Sequence, residues 1–334
     1  MSKRFYILPQ SLRQQILNLL PWVFKFGVSA GLVWYLIEKI GGSNVVERAI
    51  ELSPNVLFIS IFLIIAQSFF AALRWALIIK AIGHNLSLMK AIAITFVSLF
   101  FSQFLPASVG GDAVRMWQSK KAGLPFNKAV TSVILERFVS LLSVATLSLM
   151  MLPVLTRHLP NPLMFQGSIL ITIGGLCALA ILLFFDSLPI AWHRWRLVRG
   201  VAELAQDTRA IVKQPLRSAS MVLTALIGQF LLATAAYSLA QGMGVGVSLI
   251  DFIAIMPAVV LVSSLPISVA GWGVRELAMV TALGLVGVSS DAAVAISVIL
   301  ALTASVASLP GGFLFVFYKL RDPSHNRSQS CGIV

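Results

Sequence analysis

Cysteine, histidine and acidic residues are all scarce in this chain of 334 residues, which holds 2 Cys, 4 His and 12 Asp plus Glu. Cys177 lies inside an apolar run and Cys331 near the C-terminus, so neither a disulfide framework nor a cysteine metal site is expected. His84, His158, His193 and His325 fall in loops or surface segments, without ligand spacing and without a nucleophile beside them. No metal, no cofactor and no enzymatic activity are therefore expected, and no phosphate-binding loop is visible to drive a pump with ATP. Charge is scarce too, at 11% against 58% hydrophobic residues and a mean hydropathy of +0.92, which excludes a soluble globule.

What is present is a series of apolar runs long enough to cross a bilayer, at 22 to 38, 55 to 80, 127 to 155, 163 to 185, 216 to 240 and 291 to 318. Two shorter runs, 88 to 105 and 249 to 265, each end at a related motif. Leu105 to Arg115 reads LPASVGGDAVR, and Leu265 to Arg275 reads LPISVAGWGVR. The matching positions are Leu105/Leu265, Pro106/Pro266, Ser108/Ser268, Val109/Val269, Gly111/Gly271, Val114/Val274 and Arg115/Arg275. A helix-breaking Pro, a Gly and an Arg at membrane depth are tolerated only where protein or a wet cavity covers the freed backbone. Each short run is accordingly read as one arm of a re-entrant hairpin, with two tightly joined full spans as the alternative at each place.

The expected architecture is all-α: about six full spans plus two re-entrant hairpins arranged as an inverted-topology repeat in one integral membrane domain. A shift of 160 residues lays 55 to 80 on 215 to 240, 88 to 105 on 248 to 265 and 127 to 155 on 287 to 315. Residues 1–54 would supply an interfacial helix and the first span, 55–155 the first repeat unit, and 156–214 a connecting span with a basic helix. Residues 215–320 would form the inverted second unit, and 321–334 a polar tail. With the N-terminus inside, only Lys39, Arg48 and Arg157 of the basic residues fall in outside segments. Most of the rest cluster on the inner side, which places both termini in the cytoplasm and the chain in the cell (inner) membrane.

That orientation also accounts for the excess of 25 Lys and Arg over 12 acidic residues without nucleic acid as a partner. The stretch from Asp186 to Arg217 carries Leu197, Val201, Leu204 and Ile211 on one helical face and Arg194, Arg196, Arg199, Arg209 and Lys213 as its charge. It is expected to lie on the anionic lipid surface of the cytoplasmic leaflet.

Arg115 and Arg275 are the principal candidates for binding. A guanidinium keeps its charge and offers a fork of donors matched to phosphate oxygens. Gly110 and Gly111, and Gly271 and Gly273, would leave N–H groups open at a half-helix start, where an anion is favoured. The competing reading has each Arg pair with Asp112 or Glu276 and simply tie its hairpin together. Glu136 and Arg137 lie deep in a span and point about 100° apart, so each should find its partner on another element. Glu136 is expected to face Arg115 or Arg275, leaving Arg137 towards the cavity. Arg74 is either part of this group or snorkels to the inner surface. Arg74, Arg115, Arg137 and Arg275 outnumber Asp112, Glu136 and Glu276, a surplus that an anionic ligand would balance. Gln67, Ser102, Gln103, Ser263 and Ser264 could line the cavity, and Gly31, Gly174, Gly175 and Gly228 are read as close-packing positions.

At Leu105, Pro106, Gly110, Gly111, Asp112 and Arg115, at Glu136-Arg137, and at Pro266, Gly271, Gly273, Arg275 and Glu276, the sequence resembles the transmembrane region of lysylphosphatidylglycerol synthases. These are also described as flippase-like membrane proteins, and the resemblance runs from about 20 to 320. Ala107, Ile267 and Ala270 stand where that pattern leads one to expect Gly. The full-length synthases add a soluble aminoacyl-transferase domain, whereas this chain ends in a short tail, so synthesis of lysyl-lipid is not expected. The resemblance implies translocation of a membrane lipid as substrate: a phospholipid, an aminoacyl-lipid, a hopanoid-type lipid or a polyprenyl-linked saccharide. Two other readings stay open. One is a small-anion or proton-coupled transporter relaying through Asp112, Glu136 and Glu276. The other is a non-transporting partner of a lipid-modifying or glycosyltransferase enzyme.

Overall fold

A computed structural model describes residues 51–104, 110–154, 196–264 and 272–320. The expected N-terminal interfacial helix, the spans at 22 to 38 and 163 to 185, the centres of both motifs and the polar tail lie outside the described residues. The rest is helical. Its helices are α1 (Pro54–Ala81), α2 (Leu88–Phe104), α3 (Gly110–Lys121), α4 (Phe126–Met150), α5 (Arg196–Val212), α6 (Pro215–Gly242), α7 (Leu249–Ser263), α8 (Val274–Gly284) and α9 (Ser290–Leu320).

Four of these, α1, α4, α6 and α9, are long and apolar enough to cross a membrane, and they coincide with four of the expected spans. The chain is a multi-pass membrane protein. In contrast, α2 has 17 residues and α7 has 15, so each extends only about 22–26 Å at 1.5 Å per residue. That falls short of the roughly 30 Å hydrocarbon layer.

The same order, long, short, short, long, occurs on both sides of α5, and the helix ends match in chemistry. Pro54 and Pro215 open α1 and α6 at positions that need no N–H. Gly83 (φ 84°) and Gly244 (φ 71°) follow them, where His84 N–H and Val245 N–H return to the carbonyls of Ile79 and Ala240 at 3.0 Å each. Gly123 and Gly287 close α3 and α8 in the same way, through Leu124 N–H to Ser119 and Val288 N–H to Leu283. Gly83 and Gly244 stand 161 residues apart and Gly123 and Gly287 stand 164 apart, so the single 160-residue shift does not carry through. The second unit is longer between its two short helices.

The packing is matched as well. Each unit's second helix lies against its third, the third against the fourth, and the first against the second. Each fourth helix crosses to the other unit, α9 onto α2 and α4 onto α7, while α1 and α6 pack along each other. The largest apolar core joins α6, α7, α8 and α9 through Leu239, Phe252, Met279, Leu283 and Ile296.

Backbone proximity sets the α9–α2 crossing. A Cβ on Gly311 would run into the carbonyl of Phe96 and stand 2.9 Å from the Val97 nitrogen, and one on Gly312 would stand 2.9 Å from the Phe100 ring. At Gly228, which the sequence marked for close packing, the nearest atom would be Gln67 Cγ at an ordinary 3.7 Å. Gly311→Ala is therefore expected to destabilise by about 1–3 kcal/mol through overpacking. Thermal unfolding in detergent should show a lower midpoint for G311A and an unchanged one for G228A.

Part of the apolar face of α5, expected to rest on lipid, is covered by protein instead. Leu204 and Ile211, from the face assigned to the leaflet, pack against Ile78, Leu135 and Met221 of α1, α4 and α6. Lys128 Nζ donates to both oxygens of the buried Asp207 at 2.8 Å, and Asn127 Nδ2 donates to Glu203 at 3.0 Å. An apolar face that finds a protein groove gains more burial than one laid on headgroups. Leu197 and Val201 contribute nothing to this account, since their side chains lie outside the described residues.

Candidate functional site

Two charged clusters emerge, one in each unit, and both are built on a short helix that carries an arginine against a tryptophan. In the first, Arg115 of α3 is buried and stacks on Trp75 of α1, its Cζ 5.2 Å from the ring centroid. Trp75 is fixed in turn by donating its Nε1–H to Ser132 Oγ of α4 at 3.2 Å. Glu136, ten residues or about 15 Å along α4, faces Arg115 with an Oε2 to Nη1 separation of 3.6 Å. Its other oxygen accepts a hydrogen bond from Arg74 Nη2, and the same nitrogen donates to Ser140 Oγ at 2.8 Å.

Arg74 therefore does not snorkel. It is 6% exposed and belongs to the cluster, because a carboxylate stands within reach one helix away and removes the need to reach water. The Nε atoms of both Arg74 and Arg115 are buried and have no hydrogen-bond partner among the described residues. Arg115 makes no side-chain hydrogen bond at all to the described residues. Two guanidinium groups thus share one carboxylate, and the buried trio carries a net charge of +1.

Arg137, the neighbour of Glu136, turns to the outside of α4. Its Nε and Nη2 donate to the two oxygens of Asp112 at 3.1 and 3.0 Å. Adjacent residues on α4 thus pair with different residues of α3, as their 100° separation dictates. The competing reading paired Arg115 with Asp112; the structure gives Asp112 to Arg137 and Arg115 to Glu136. Gly111 serves packing: it is buried, its carbonyl accepts from Ser98 Oγ at 2.8 Å, and a Cβ would collide with Ser98 and Ser102 of α2. Gly110 begins α3 beside it.

The second cluster has the same ingredients in a closed arrangement. Arg275 Cζ lies 5.4 Å from the centroid of Trp272, which repeats the Trp75–Arg115 stack. Here the adjacent Glu276 is the partner: its Oε1 accepts from Arg275 Nη2 at 2.9 Å, Arg275 Nε at 3.3 Å and Ser297 Oγ at 3.2 Å. Its Oε2 accepts the N–H of Gly273 at 2.5 Å, made possible by the positive φ of 84° at that glycine. The N–H expected to greet a ligand is therefore taken by the protein's own carboxylate. Neighbours can pair here because they lie in the first turn of α8, where Glu276 folds back towards the helix start. Gly271 lies outside the described residues. Neither Arg275 nor Glu276 bonds a member of the first cluster, so Glu136 takes Arg115 and not Arg275.

Trp75, Ser132, Ser140, Trp272 and Ser297 complete the clusters without having been singled out in the sequence. Ser140 stands four residues after Glu136 and so on the same helix face, Trp75 adjoins Arg74, and Trp272 lies within the second motif. Ser297 carries no comparable signal. Ser263 and Ser264, considered as cavity liners, donate to the carbonyls of Val259 and Leu261 in their own helix.

The helical membrane fold agrees with what the sequence comparison returns. No curated protein matches the chain. Its residues 22–311 match the lysylphosphatidylglycerol synthase TM region, which takes in every helix but the end of α9, and the chain belongs to that family.

Proposed function

We propose that this protein is flippase-like and moves a lipid with an anionic or otherwise polar headgroup across the cell membrane, with Arg115 as the principal headgroup contact. The observation that carries the reading is the surplus of donors around Glu136. Two buried arginines divide one carboxylate, Arg115 reaches it only at 3.6 Å, and both Nε atoms lack partners among the described residues. A buried charge left in this state is costly, and an anionic group accepting from the Arg115 fork would relieve it.

The second cluster supports the same chemistry from within the chain. There a tryptophan-stacked arginine binds a carboxylate that also accepts a hydroxyl and a backbone N–H. A phosphate oxygen pair at Arg115 would make the corresponding contacts to its guanidinium. The matched packing of the two units and their exchanged fourth helices favour a repeat of inverted topology, with α2–α3 and α7–α8 as re-entrant hairpins. In that arrangement the termini are cytoplasmic and the site is reached from either leaflet in turn.

Movement of headgroup-labelled lipids in proteoliposomes, wild type beside an Arg115→Ala/Arg275→Ala variant, tests the reading. The expected result is movement of one headgroup class that the double variant loses while still folded. Flux of small anions without movement of any lipid would replace lipid with a soluble anion as cargo, and firm capture of a lipid-modifying enzyme by a folded but inactive chain would make this protein its partner.

A further inference from the structure

Arg137 is the anomaly that the buried cluster leaves unused. Its side chain is 57% exposed although it lies about 16 Å along a candidate span. The exposed stripe it shares on α4 is otherwise apolar, with Ile134 and Leu141 at the preceding and following turns. On α3, Ala113 and Trp117 are exposed on the side of the helix away from the buried Arg115. A guanidinium on such a face needs more than one partner to offset the loss of water. Asp112 takes Nε and Nη2, and Nη1 donates to none of the described residues.

The position of this pair relative to the inner cluster is the second observation. Asp112 and Arg115 are three residues apart on α3, and Arg137 adjoins Glu136 on α4, so both helices carry one outer and one inner member. One step around either helix leads from the exposed pair to the buried trio. Towards the α5 end that route is filled, since Ile78, Leu135, Ile211 and Met221 pack together there.

Resting on the reading above, we propose that Arg137 and Asp112 form an outer headgroup site on the α3–α4 seam. A lipid arriving laterally binds its phosphodiester to Arg137 there, and the phosphate then passes to Arg115. The ligand is a phosphate-bearing membrane lipid. Asp112 holds the guanidinium in place by two bonds and leaves Nη1 for the phosphate oxygen.

The full chain carrying a photoreactive side chain in place of Ile134 is reconstituted in phosphatidylcholine vesicles with labelled phosphatidylglycerol or with labelled diacylglycerol, which lacks the phosphate. Labelling by the phosphate-bearing lipid should exceed that by diacylglycerol by on the order of tenfold and fall to the diacylglycerol level in Arg137→Gln. The Asp112→Asn/Arg137→Gln variant, which leaves no lone charge, should lose the labelling as well. Equal labelling by both lipids, or labelling indifferent to Arg137, overturns the outer site. Displacement by inorganic phosphate from the aqueous phase also overturns it, since the site would then serve a soluble anion. Lipid movement is read in the same vesicles: movement without Arg137-dependent labelling defeats the outer site alone, and labelling without movement keeps the site and defeats transport.

Discussion

Glu136→Ala should unfold or severely destabilise the protein, with a cost of about 3–5 kcal/mol, the range for removing one partner of a buried ion pair. The burial decides the size of the effect: Arg74, Arg115 and Glu136 are each only 5–6% exposed, so water screens none of them. Without the carboxylate, two guanidinium groups face one another across the space between α1, α3 and α4. A variant that removes all three charges, Arg74→Met/Arg115→Met/Glu136→Leu, should be markedly more stable than Glu136→Ala, although it contains more substitutions. Replacing a buried ionic group by apolar residues is often neutral, whereas breaking it is not. Thermal unfolding of purified wild type, single and triple variants supplies the comparison, and an undisturbed midpoint for Glu136→Ala would mean that the arginines reach water after all.

Why the sequence disclosed some of this and hid the rest follows from the ranges of the forces involved. Helices announce themselves locally: proline at N1, left-handed glycine beyond the C-terminus and long apolar runs are all visible within a few residues, and α1, α4, α6 and α9 fall where those signals place them. The separate fates of Glu136 and Arg137 were legible for the same reason, since the angle between neighbours is a property of the helix. For Arg74 the sequence left membership of the group and snorkelling open, because the two differ only in whether a carboxylate from α4 stands within reach. The Arg275–Glu276 bond, which the competing reading allowed, escapes the neighbour rule because the rule holds in mid-helix and these residues occupy a first turn. For α5 the periodicity identified an apolar face correctly, but periodicity does not say whether lipid or protein covers it. The motif pairing also concealed an offset. Arg115 lies eight residues before Gly123 and Arg275 twelve before Gly287, about one helical turn apart in register. Equivalent in sequence, the two arginines occupy different levels of their helices.

That difference separates two variants that the repeated motif would lead one to treat alike. Arg115→Gln should lower lipid movement by about ten- to a hundredfold, because a hydrogen bond to a charged group contributes about 1.5–3 kcal/mol and 1.4 kcal/mol is a factor of ten. Its stability should hold or rise, since the change leaves Glu136 paired with Arg74 and removes the surplus charge. Arg275→Gln should do the opposite. Glu276, with its side chain 3% exposed, would keep the Gly273 N–H and the Ser297 hydroxyl but lose its countercharge among the described residues, so the thermal midpoint should fall. Adding Glu276→Gln to Arg275→Gln should restore part of that loss by removing the stranded carboxylate. Measured side by side in proteoliposomes and by thermal unfolding, the crossed pattern assigns ligand binding to the first cluster and stability of the α8 start to the second. Loss of lipid movement in Arg275→Gln at undiminished stability would reverse the assignment, with Glu276 then yielding its arginine to the headgroup during transport.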